Sequence, residues 1–115
     1  MGTEVPRERF AELVSDALDD VPVRFTALMD NIAVLVDDEA PVGDRFGEYV
    51  GIPLTARGIN YTSALPDRIV LFRRTICAHC RDEDDVRRQV AVTVVHEIAH
   101  HFGIDDDRLD ELGWG

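Results

Sequence analysis

The chain has 115 residues, 45% of them apolar and 30% charged, a composition that excludes a disordered or fibrous chain and suits a single domain over residues 1–115. Its 12 Lys and Arg stand against 23 Asp and Glu, a formal charge of −11 at pH 7. That balance excludes nucleic acid as a partner, because such affinity rests on neutralising phosphates with basic side chains, although it admits cationic peptides.

The elements follow in chain order. Residues 6–20, PRERFAELVSDALDD, place Phe10, Leu13, Val14, Ala17 and Leu18 at helical spacing, and Pro6 suits a first helical position. A second short helix is expected after Pro22, burying Phe25 and Leu28. NIAVLVDD (residues 31–38) reads as a β-branched strand bounded by acids. GDRFGEYVGIPLT reads as a short strand running into a turn, ARGINYTSAL as a polar loop, and PDRIVLFRR (residues 66–74) as a third strand.

QVAVTVV looks like a strand by propensity, since β-branched side chains lose rotamer freedom in helices. The punctuation says otherwise: Asp82 is a good helix cap, Asp84 and Asp85 favour a first turn, and Gly103 is a good stop. The expectation is therefore a helix from Val86 to Phe102, buried on most sides. The class is α+β: an N-terminal helix and a small three- to four-stranded sheet packed on the C-terminal helix. NIAVLVDD and QVAVTVV are too short to cross a bilayer. MGTEVPRERF has acids and a Pro where a signal peptide needs an apolar run. Cytoplasmic residence with no membrane partner is expected, and the 2 cysteines make no disulfide framework.

On the C-terminal helix, Thr93, His96, Glu97 and His100 step by three, one and three, so they share one face. Two imidazoles and a carboxylate inside a Val-, Ile- and Ala-rich helix are costly unless each finds a partner. Positions four apart differ by about 40° in azimuth and about 6 Å along the axis, so His96 and His100 can aim at one point. This is the HExxH arrangement of zinc peptidases, with Glu97 beside a metal-held water without ligating the metal. A third ligand is available past Gly103, which can turn the chain back in a left-handed conformation. Asp106 is the expected ligand, with Asp105 and Asp107 beside it, giving a single Zn2+ two nitrogens, one oxygen and a fourth position for water. His101 points off the stripe.

A second pattern competes. Cys77, Cys80, His96 and His100 are spaced C-x2-C-x15-H-x3-H, which matches a loose zinc-finger template. RDEDDV follows Cys80 where a finger needs apolar core, and a finger has no use for Glu97, so Cys77 and Cys80 read as small buried residues. His79 between them is a candidate for holding a substrate oxygen.

At HEIAHHFGIDDDRLDELG, LPDRIVLFRR and EYVGIPLT the chain resembles the zincin superfamily, and in particular a family of very small bacterial zincin-like metallopeptidases. The resemblance covers almost the whole chain. It implies a small zincin-like domain with its sheet packed on the active-site helix, His96 and His100 as zinc ligands, Glu97 as the catalytic group and Asp106 as third ligand. Metzincins, by contrast, have a third His where Asp106 stands and a Met-turn downstream, whereas the only methionines here are Met1 and Met29. A gluzincin takes a Glu from a later helix, and Glu111 is the sole Glu after Asp106.

The expected activity is peptide-bond hydrolysis of a peptide or protein substrate by a zinc-bound water that Glu97 activates. Tyr61, His79 or an Arg would steady the oxyanion, and RIVLFRR would offer an open edge to the substrate backbone. The alternatives are a zinc-stabilised binding module without turnover and a zinc hydrolase of another amide.

Overall fold

Two prolines bracket the first element. The computed structural model describes residues 2–51 and 67–114. Helix α1 (Arg7–Asp20) starts after Pro6 and buries Phe10, Leu13, Val14 and Ala17 on one face. It stops at Val21, which the following Pro22 favours in an extended conformation, with φ −73° and ψ 128°. A single turn, α2 (Val23–Thr26), follows Pro22 and a 3-10 turn covers Ala27–Met29. Phe25 is buried as expected, whereas Leu28 is only partly buried against the core.

The sheet has three strands, β1 (Ile32–Asp37), β2 (Gly47–Val50) and β3 (Asp67–Phe72), in the order β1-β3-β2. β1 runs parallel to β3, with Leu35 opposite Val70. β2 runs antiparallel to β3, with Gly47 opposite Leu71 and Tyr49 opposite Ile69. Alternation sends Ile69 and Leu71 into the core, while Arg68 faces out. The architecture is α+β, with helices and this mixed sheet sharing the core.

The third strand is shorter than its sequence implied. Instead of running to residue 74, the chain turns at Phe72 into helix α3 (Arg73–Ala78). The turn is pinned by polar contacts: Arg73 Nε donates to Asp38 Oδ1 at 2.9 Å, Arg73 Nη1 to Val5 O at 2.8 Å, and Arg74 N to Asp38 O at 3.0 Å. The turn expected beyond Gly51 and the loop ARGINYTSAL lie outside the described residues.

Helix α4 (Glu83–His101) settles the ambiguity over QVAVTVV. Val86, Val90, Val94, Val95 and Ile98 are fully buried in it. Each β-branched residue costs up to about 0.7 kcal/mol of helix propensity, but full burial of such a side chain stabilises by about 1.5–3 kcal/mol. Burial wins. Asp82 caps the N-terminus by accepting from Asp85 N at 2.9 Å. On the outside, Arg87 forks onto Asp20 at 2.6 and 2.8 Å, tying α4 to α1. At the C-terminus Gly103 takes φ +77°, and Ile104 N donates to Ala99 O at 2.8 Å. This is a Schellman-type end, in which glycine supplies the left-handed residue. The reversed chain enters α5 (Asp106–Glu111), whose Leu109 plugs into the core. No helix among the described residues is long and apolar enough to cross a membrane.

Asp82→Ala should lower stability by about 1 kcal/mol in urea unfolding, the usual worth of an N-cap. No change would show that packing alone holds the first turn of α4.

Candidate metal centre

The stripe on α4 emerges from the core by degrees. Thr93 is buried, with its Oγ1 accepting from Gln89 Nε2 at 3.1 Å; His96 and Glu97 are half-buried, and His100 is exposed. The two imidazoles face each other edge-on with centroids 6.0 Å apart. Past the turn at Gly103, Asp106 comes back to His100, whose Nε2 donates to Asp106 Oδ1 at 3.0 Å. This hydrogen bond holds the Asp106 carboxyl below the ordinary aspartate range. Asp105, one residue earlier, is otherwise engaged, capping α5 by accepting from Arg108 N at 2.9 Å. Glu111 pairs with Arg108 at 2.8 Å instead.

One ligand atom each from His96, His100 and Asp106 lie within 4.8 Å of one another. Ligands on a tetrahedral ion with bonds of 2.0–2.1 Å sit about 3.3 Å apart, so modest side-chain adjustment closes this set on a cation. Two imidazole nitrogens and a carboxylate oxygen are a zinc-type donor set.

Glu97 stands beside this cluster and outside it. Its Oε1 accepts from the main-chain N–H of Tyr49 at 2.9 Å. Tyr49 is itself held firmly: its ring stacks on His101 with centroids 3.9 Å apart and planes 12° from parallel, and its hydroxyl donates to Asp67 Oδ2 at 2.7 Å. The approach of β2 to α4 depends on Gly47, where a Cβ would come within 2.9 Å of Val70 O and 3.0 Å of Thr93 Cγ2. Residue-type motifs did not find Tyr49, because its contribution here is a backbone amide. The one sequence signal was Gly47 ahead of an aromatic.

Several other expectations change. β3 offers no open edge, since β1 and β2 occupy its two sides; among the described residues β1 and β2 are the edge strands, and β2 is the one that meets Glu97. His79 ends α3 with its Nδ1 2.9 Å from Thr75 O and its ring edge-on to Phe46, and it is not part of the His96 cluster. Cys77 and Cys80, by contrast, are free and buried as the sequence led one to expect. Burial raises both thiols, Cys80 to about 11, so neither is a ready thiolate donor at neutral pH. Tyr61 lies outside the described residues.

The same elements recur in known proteins. A family profile described as zincin-like metallopeptidase matches residues 18–114. The chain belongs to that family. Among solved structures, it is similar to a conserved hypothetical protein from T. thermophilus, with a TM-score of 0.57, 26% identity, and coverage of 85% of this chain and 94% of that one. A search of curated proteins finds no match. The family implies zinc binding, and the His96, His100 and Asp106 donors fit that ion.

Thiol reagent should modify Cys77 and Cys80 slowly in the folded protein, at the same rate with and without added zinc. Protection by zinc would put the metal on the sulfurs and revive the zinc-finger pattern.

Proposed function

We propose that the protein is a zinc-dependent metallopeptidase that hydrolyses peptide bonds. The observation that carries this reading is the separation of roles around one flank of α4: His96 and His100 converge with Asp106 of α5 as donors, while Glu97 stays out of the set and is aimed by Tyr49 N–H. One zinc ion held by those three residues would supply Lewis acidity and bring the pKa of water toward 7.

The remaining work falls to the chain. Tyr49 N–H occupies Glu97 Oε1 and fixes the carboxylate plane, which leaves the other oxygen to take a proton from the attacking water. Glu97 then returns that proton to the leaving amine, so the carboxylate ends as it began. An extended peptide would lie on the β2 side of α4, where that edge strand already approaches the stripe. The acidic surface favours peptides carrying Lys or Arg.

A zinc-stabilised binding module without turnover is the second reading. It is favoured by a main-chain oxygen, that of Trp114, lying 2.7 Å from His96 Nε2, since a site filled by protein donors is structural. The position of Glu97 weighs against it, because a binding module has no use for an oriented carboxylate beside the donors. The chemistry would serve another amide equally well, and the substrate assay separates the two.

Glu97→Gln should retain one zinc per chain by metal analysis and lose at least about 100-fold of its activity on a peptide library, the usual scale for a general base. Retained cleavage would remove Glu97 from the chemistry. His96→Ala and Asp106→Ala should lose the metal itself.

A further inference from the structure

The Trp114 carbonyl is delivered by a well-anchored segment. Trp114 N donates to Leu109 O at 2.8 Å, and Leu109 is fully buried in the core. The Trp114 ring meets Phe25 edge-on with centroids 6.3 Å apart. Leu112 O accepts from Arg24 Nη2 at 3.5 Å, and Gly113, at φ +84°, makes the turn between Leu112 and Trp114. These contacts aim the Trp114 oxygen at His96 Nε2, 2.7 Å away. A carbonyl oxygen only accepts, so in this contact His96 Nε2 carries the proton.

We propose that the main-chain carbonyl of Trp114 is a fourth protein donor that caps the cation site, so that a substrate carbonyl must displace the protein's own. This rests on the metallopeptidase reading and extends it. With Nε2 of His96 as the ligating atom, binding a cation leaves the neutral imidazole with its proton on Nδ1, and the Trp114 oxygen loses the donor it had. It stands 2.7 Å from that nitrogen, on the side where a cation would sit at about 2.0–2.1 Å, so it has to draw back by roughly 0.6 Å to reach the roughly 3.3 Å that separates neighbouring ligands on a tetrahedral zinc. The cation is then the positive group best placed to take the vacated role.

The chemistry of the capping group also matters. A neutral amide oxygen is the functional group that a peptide substrate presents, and it is a weaker donor than the carboxylate of Asp106. It can hold the resting site closed and still be exchanged. Displacement would swing out the Gly113–Trp114 segment, whose Trp114 ring is only partly buried against the core, while Leu109 and α5 stay in the core.

The test uses the full chain loaded with Co2+, with azide as the competing ligand followed by visible absorption. Trp114 is the only tryptophan, so its emission reports the segment directly. Azide should bind the unaltered protein at least 10-fold more weakly than it binds Gly113→Val, which cannot hold the left-handed turn and so re-aims the carbonyl. Saturating azide should also shift the Trp114 emission of the unaltered protein to longer wavelength. Equal azide affinities in the two proteins would overturn the cap. If Gly113→Val does not fold, the unaltered protein decides alone: unchanged emission at azide saturation overturns the cap. A chain that takes up no Co2+ overturns the metal reading together with it. A chain that binds Co2+ and cleaves peptides with an unmoved Trp114 loses the cap only.

Discussion

Everything at the site depends on how α4 is buried. Its valines and isoleucines are poor helix formers, and alone the segment would not hold this shape. Packed between α1 and the sheet, it gains more from burial than it loses in propensity, and its rotation about its own axis becomes fixed. That rotation sends His96, Glu97 and His100 to a flank that opens to solvent. Polar side chains too costly to bury in the core are thereby gathered where a cation can reach them.

The second constraint is the reversal at Gly103. A helix offers two imidazoles at four-residue spacing but no third donor on the same side at that height. The left-handed glycine and the bond from Ile104 N to Ala99 O bring the chain back within a few residues, so that Asp106 meets His100. Leu109 locks the returning helix from beneath, and the same short helix positions Trp114. One local turn thus sets both the third donor and the carbonyl near His96.

These features were unequally legible in the sequence. The α4 stripe and the Asp106 return follow from short-range geometry, where residue spacing alone fixes direction, and α1 follows from its periodicity between two prolines. The sheet order does not. PDRIVLFRR has the composition of any buried strand, and only long-range pairing makes it central and leaves β1 and β2 at the edges. The choice of Asp106 over its neighbours needed the structure as well, because three consecutive aspartates look alike until one of them caps α5. Least visible were Tyr49 N–H and Trp114 C=O. Both act through the main chain, which every residue carries, so no side-chain motif could have marked them.

The sharpest check on a cation held by two imidazoles and one carboxylate is X-ray absorption at the zinc edge of the loaded protein. Light scatterers only, nitrogen and oxygen at about 2.0–2.2 Å with the multiple-scattering signature of two imidazoles, is the predicted result. A sulfur shell at about 2.3 Å, or a zinc-loaded protein showing no imidazole signature, would contradict it.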